Sequence, residues 1–151
     1  MTEPPFERWV ADLEKRHLAE LAFPEVRKGL QALSSLYVER RGRIGAGAAF
    51  DGAGKRAAFA LFFGPLHFLV VREVVSALGA SEPPLARVVD LGCGTGAAGA
   101  AWALAAGGAE IQGIERSGWA AAEAKATWAA LGLRGRSAAG DLLRERLPGT
   151  G

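Results

Sequence analysis

The chain has 151 residues, half of them hydrophobic and 23% charged, with 18 Lys and Arg against 16 Asp and Glu for a formal net charge of +2. This excludes a disordered chain and suits a small folded domain. The single Cys93 excludes an intramolecular disulfide and any zinc or iron–sulfur site built from this chain's own thiols. Met1–Thr2–Glu3–Pro4–Pro5 does not read as a signal peptide. The most apolar run, residues 57–71, is interrupted by Gly64, Pro65 and His67, short of the roughly 20 apolar residues of a membrane span. The expectation is a soluble, cytoplasmic protein with no membrane partner.

Residues 1–80 read as an all-helical N-terminal region. Phe6, Trp9, Val10, Leu13, His17 and Leu21 recur at three- and four-residue steps, and Pro24 interrupts that stripe while suiting the first turn of a second helix. Val26, Leu30, Leu33 and Tyr37 form the apolar stripe of the second helix. Residues 42–54 contain five glycines and are expected to be a loop. Arg40, Arg41, Arg43, Lys55 and Arg56 bracket it and form the sharpest basic cluster of the first third, which holds the chain's whole positive excess, since residues 1–56 carry 10 basic and 8 acidic side chains and the remainder 8 of each. Such a cluster offers cations to a phosphate backbone, and RNA is the partner it suggests; a solvated helix end is the alternative. Residues 55–63 and 65–78 resume the helical pattern, with a kink or break at Gly64–Pro65 and with Leu66, Val70, Val74 and Leu78 as the apolar face. His17 and His67 fall on these patterns as packing residues.

Residues 81–86, containing Ser81–Glu82–Pro83–Pro84, read as a linker. Beyond it, residues 88–91 and 111–115 are short apolar runs and residues 97–106 and 119–131 are helical, the latter capped by Ser117 and stopped by Gly132. A third strand is expected near residues 134–138. Strands alternating with helices at this spacing describe parallel βαβ units, so the fold class is α/β. Trp102, Trp119 and Trp128 lie on the crossover helices and are expected to pack against the sheet or the N-terminal helices, with Trp119 near enough to Glu115 to touch a bound base.

The segment with most chemical content is Asp90–Leu91–Gly92–Cys93–Gly94–Thr95–Gly96. Alternate glycines after a strand permit a tight turn, expose backbone N–H groups and let a ligand approach closely, and the helix that follows begins with about half a positive charge. Gly94–Thr95–Gly96–Ala97–Ala98–Gly99 also fits the GxGxxG of dinucleotide enzymes. Asp90 decides against a pyrophosphate, because a carboxylate about 5 Å away costs about 3 kcal/mol at an effective dielectric near 20. A zwitterionic amino-acid tail would gain from the same carboxylate.

The seven residues resemble the D-x-G-x-G-x-G signature of the Rossmann-like S-adenosylmethionine-dependent methyltransferases. That resemblance implies a three-layer α/β/α fold with a parallel sheet, S-adenosylmethionine as cofactor, and a cofactor site of Asp90, Gly92, Cys93, Gly94, Gly96, Glu115, Arg116, Asp141 and Leu142. Glu115, 25 residues after Asp90, would accept hydrogen bonds from both ribose hydroxyls. Gly140–Asp141–Leu142 would meet the adenine. Cys93 is read as a small filler with no base beside it. Each acidic residue also has a plain structural use: Asp90 as a cap for the following helix, Glu115 as a solvated strand end, Asp141 as a turn residue.

A weaker resemblance joins residues 30–41 and the cofactor loop to the methyltransferase-like proteins of the small ribosomal subunit, which implies ribosomal RNA or an assembling ribosome as partner. The methyltransferase resemblance covers only the front half of a seven-stranded domain, residues 87–151, and the catalytic residues would lie beyond it. The expectation is a piece of a longer enzyme, or a homo-oligomer pairing the open edge of its first strand. The leading reading is therefore the cofactor-binding part of a methyltransferase. A non-catalytic S-adenosylmethionine-binding ribosome-assembly factor and a nicotinamide-dependent oxidoreductase are the competitors.

Overall fold

A computed structural model describes residues 4–39 and 48–145, and the chain packs as two units, Met1–Leu66 and His67–Gly151. The first unit begins with α1 (Pro5–His17), whose leading proline sits where a helix has no use for its N–H. Trp9 and Leu13 are its buried residues, and Arg16 reaches back one turn to Asp12 at 2.7 Å. The helix stops before Leu21, short of the expected stripe. A new start is fixed downstream, where the Glu25 carboxylate accepts the Ala22 N–H at 2.8 Å ahead of α2 (Phe23–Glu39), with Pro24 in its first turn. Val26 and Leu33 are buried and Leu30 and Tyr37 half-buried, as their spacing requires.

The glycine-rich stretch differs from the expected loop. Its residues 40–47, with Arg40, Arg41 and Arg43, lie outside the described ones, but a short 3₁₀ turn at Ala48–Phe50 and α3 (Ala53–Ala58) are formed. Gly54 belongs to α3 because α2 and α3 cross backbone to backbone there: a Cβ on Gly29 would run into the Gly54 carbonyl. Lys55 donates to the Ala48 carbonyl at 2.9 Å and Arg56 to the Phe50 carbonyl at 2.8 Å, so both cations are used to fold the incoming turn onto α3. Phe50 stands edge-on to Phe59 (centroids 5.0 Å apart) and Tyr37 to Phe63 (5.7 Å).

No break occurs at Gly64–Pro65. A π-helical turn over Phe59–Phe63, in which the Gly64 N–H bonds the Phe59 carbonyl five residues back, widens the helix just before Pro65. Pro65 has no N–H and would crowd the carbonyl four residues earlier, and the wider turn accommodates it, so the helix continues into α4 (Gly64–Leu78). The run Ala53–Leu78 is then 26 residues whose most apolar 18-residue window has a mean hydropathy of 1.7, long and apolar enough to cross a membrane by length and composition, contrary to the reading of 57–71 as interrupted. A third of its most apolar window is buried within the protein.

The face of α4 is also corrected. Leu66, Val70, Val74 and Leu78 are 43–74% exposed, while Phe68 and Val75 are buried. Helical spacing shows which residues share a face, not which face meets a partner. In the second unit α4 ends at Gly79, whose φ of +60° permits a turn in which the Ala80 N–H bonds the Val75 carbonyl at 3.0 Å and the Gly79 N–H bonds the Ser76 carbonyl at 3.1 Å. The stop thus precedes the proline stretch, which is irregular. The two compact units divide at 66/67, inside α4, and within the second unit Val71, Val74 and Val75 line a cavity of about 370 Å³ together with Val88, Val89 and Trp102.

The sheet is three parallel strands, β1 (Arg87–Leu91), β2 (Glu110–Glu115) and β3 (Gly135–Ala139), in the order β1-β2-β3. The crossovers are α5 (Ala97–Ala105) and α6 (Gly118–Ala130), the latter capped by the Ser117 hydroxyl accepting the Ala120 N–H and ended by Gly132 at φ +73°. This is the partial Rossmann-like arrangement, with β1 at an edge among the described residues. Register pairs Val88 with Ile111, Asp90 with Gly113, and Gly113 with Ser137, which puts these residues on one face of the sheet. The helices lie on that face: Asp90 bonds the Gly99 N–H of α5, and the Ser137 hydroxyl donates to the Ala121 carbonyl of α6. On the opposite face Glu110 pairs with Arg87 and Arg136.

Candidate cofactor-binding site

Three parallel strands end on the same side, so the segments that follow them meet. After β1 comes the glycine loop; β2 ends in Glu115 and is followed by Arg116; after β3 come Asp141 and Leu142. Gly92, Gly94 and Gly96 have φ of +76°, +53° and +84°, a backbone that side chains disfavour, which is why glycine stands at all three positions. The loop is tied to the end of β2: the Ile114 carbonyl accepts from both Gly92 (2.8 Å) and Cys93 (3.1 Å). The third loop is tied in turn by the Gly140 N–H to the Glu115 carbonyl at 2.9 Å, and Leu142 stands 4.0 Å from the place a Cβ would take on Gly92. All nine residues of the expected site are thereby brought to one mouth.

Within it the polar groups are already partly committed. Glu115 accepts the Gly94 N–H on one oxygen (2.9 Å) and the Ser117 N–H on the other (3.0 Å). Each oxygen has a further lone pair, so the carboxylate can still take hydroxyl donors. Asp90 accepts the N–H of Gly99, third residue of α5, at 3.0 Å, and therefore caps that helix while standing at the loop. The fit is close enough that a Cβ on Gly99 would lie 2.6 Å from the carboxylate. Burial raises the Asp90 pKa, the Gly99 hydrogen bond opposes this, and the neighbouring Glu115 charge raises it further.

The Gly96 N–H is taken by the Cys93 carbonyl at 2.8 Å. Thr95, Ala97 and Ala98 are left with N–H groups that have no partner among the described residues, at the positive end of α5. Thr95 and Ala97 are buried residues, and buried donors without acceptors are costly, so these amides are where an anionic ligand group fits. The donor set thus suits a zwitterion with a diol: amides for a carboxylate, Asp90 for an ammonium, Glu115 for hydroxyls.

Cys93 contributes only its backbone. Its side chain is buried, with Sγ 2.8 Å from where a Cβ would stand on Gly113, and burial together with the Asp90 and Glu115 charges pushes the thiol up to about 12. A thiol so held is not a nucleophile at neutral pH. Asp141 accepts the Leu143 N–H at 3.0 Å and stands 3.7 Å from the Arg116 guanidinium, so the two expected ligands at this edge also pair with each other and shape the turn.

Trp128 packs against the sheet as expected, but its support of the loop was not foreseen from the sequence. Trp128 of α6 donates its indole N–H to the Gly96 carbonyl at 2.9 Å, and Gly113 and Gly135 make room for its ring. Gly113 in the middle of β2 was the available signal, since a glycine inside a strand marks close approach by something else.

The sequence matches the model of the family described as methyltransferase small domain over residues 74–149, a span that contains all three strands and every residue of this mouth. No curated protein and no solved structure matches the chain. With half of its length matched and the glycine loop, the carboxylates and the parallel strands all inside the matched half, the chain belongs to the methyltransferase small domain family.

Proposed function

We propose that the chain binds S-adenosylmethionine at the mouth of β1, β2 and β3 and serves transfer of the sulfonium methyl group to an acceptor nucleophile. The observation that carries this is the placing of opposite charge at one mouth: unengaged amides at Thr95, Ala97 and Ala98 beside two carboxylates, Asp90 of β1 and Glu115 at the end of β2. A methionine carboxylate suits those amides and its ammonium suits Asp90. Glu115 suits the ribose hydroxyls, and the loop at Asp141 and Leu142 suits the adenine. A pyrophosphate is disfavoured because Asp90 places negative charge at the same helix end. When bound, the cofactor supplies an electrophilic methyl carbon, and the protein's part is to hold it in line with the acceptor and to exclude water. Calorimetry with S-adenosylmethionine, S-adenosylhomocysteine and NAD tests the reading: binding of the first two is expected, and binding of NAD alone would overturn it.

For the acceptor, the reading supported by the basic cluster is RNA, including ribosomal RNA. Lys55 and Arg56 of that cluster each give one donor to the Ala48 and Phe50 carbonyls and have others suited to phosphate, alongside Arg40, Arg41 and Arg43. Transfer of a labelled methyl group to total RNA, in parallel with protein and small-molecule fractions, tests it. Cofactor binding without transfer to any fraction would favour a binding module over an enzyme.

A further inference from the structure

We propose that Trp128 is a positioning residue for the anion-binding amides of the glycine loop, a role that rests on reading this loop as the cofactor site. Trp128 is 1% exposed and stands beneath the loop. Its ring meets glycine from three directions: a Cβ on Gly96 would lie 2.8 Å from the indole nitrogen, one on Gly113 would lie 2.7 Å from the ring's far edge, and one on Gly135 would overlap its near edge. Loop, β2 and β3 have therefore each given up a side chain around one indole.

The hydrogen bond from this indole has a directional consequence. The Gly96 carbonyl receives two donors, the Trp128 indole N–H at 2.9 Å and the Ala100 N–H at 3.1 Å. That carbonyl shares a planar peptide group with the Ala97 N–H, and in a trans peptide the two point in opposite directions. Anchoring the oxygen toward the interior turns the Ala97 N–H the other way. Ala97 is one of the three residues whose amides are unengaged, so the indole, as the second anchor beside the Ala100 N–H, steadies the aim of a donor it does not touch. Gly96, with φ of +84° and no Cβ, restricts that peptide little by itself.

Trp128→Phe keeps most of the ring and deletes the N–H. The expected result is S-adenosylmethionine binding weakened about tenfold by calorimetry, together with faster hydrogen exchange at the Ala100 amide, which shares the Gly96 carbonyl with the indole, and unchanged exchange in the middle of β2. Ile111→Val, a core change on the same sheet that does not reach the loop, is the control: it lowers the melting temperature and is expected to leave both readouts alone. Gly135→Ala, remote from the mouth, is expected to reproduce the Trp128→Phe effect by displacing the ring. Unchanged affinity in Trp128→Phe, or unchanged exchange at Ala100, overturns the proposal. If the wild-type chain binds no S-adenosylmethionine, the reading of the site fails while the exchange comparison still decides the role of Trp128. If Trp128→Phe does not fold, the wild-type indole N–H resonance decides: it is expected to be exchange-protected and to shift on cofactor titration, and a resonance that does neither overturns the assignment.

Discussion

In the helical unit the interior is filled by large side chains from several elements, among them Trp9, Leu13, Val26, Leu33 and Phe59, the last three in one cluster. In the sheet unit α5 and α6 present alanines, Ala100, Ala103, Ala120 and Ala124, and one large residue, Trp128, occupies the space beneath the loop. Small residues bring helix and strand backbones close, which holds the loop tightly but leaves few substitutes when a single contact is lost. The first arrangement spreads stability over many contacts. The second concentrates it where the ligand groups are aimed, so that changes touching Trp128 or the glycines around it are expected to reach the site and changes in the helical unit are not.

The largest effect that tests this contrast is Leu33→Ala, at the centre of the helical unit. It is expected to cost about 3–5 kcal/mol of stability in chemical denaturation, with cofactor affinity unchanged under conditions where the protein stays folded. A parallel loss of affinity would mean that the units are not separable in function. Gly96→Ala follows. It places a Cβ at positive φ, about 1–2 kcal/mol, and against the Trp128 indole and Ala124, about 1–3 kcal/mol more, with cofactor binding lost alongside. Wild-type melting and binding in that variant would refute the requirement for glycine.

Glu115→Ala is expected to weaken S-adenosylmethionine by about 2–4 kcal/mol in calorimetry if the carboxylate accepts from both hydroxyls. Loss of affinity for S-adenosylmethionine but not for methionine would tie that energy to the ribose. The smallest effect is on pH dependence. The folded-state pKa of Asp90 is raised, so its contribution to stability is complete below the unfolded value of about 3.9 and is lost as pH rises through the folded value. Asp90→Asn, which can still accept the Gly99 N–H, is expected to remove that decline and to be the more stable protein at neutral pH, while binding the cofactor less tightly. Identical stability–pH curves for the two proteins would show that burial does not perturb Asp90.

The strands and crossovers of the sheet unit were legible to within a residue or so, because each has a local signal: apolar runs of strand length, a serine cap at 117, a glycine stop at 132. The mouth was legible for the same reason, since strand ends and a glycine loop follow each other along the chain. The two plain uses weighed for Asp90 and Asp141 are present as well, one capping α5 and the other shaping a turn, and neither is visible as a competing signal in sequence. The helical unit was less legible. The π turn before Pro65 and the Gly29–Gly54 crossing depend on what packs alongside, and a proline or a glycine-rich stretch looks like a break until that partner is known.

By itself the sequence determined what depends on neighbours along the chain: helix and strand periods, caps, and a D-x-G-x-G-x-G loop whose backbone only glycines adopt freely. Tertiary structure alone decided which face of α4 is buried, which loop amides are already taken, and that Gly96, Gly113 and Gly135 surround one indole. Those outcomes arise between residues distant in sequence, where the direction of a side chain is set by the space that other elements leave for it.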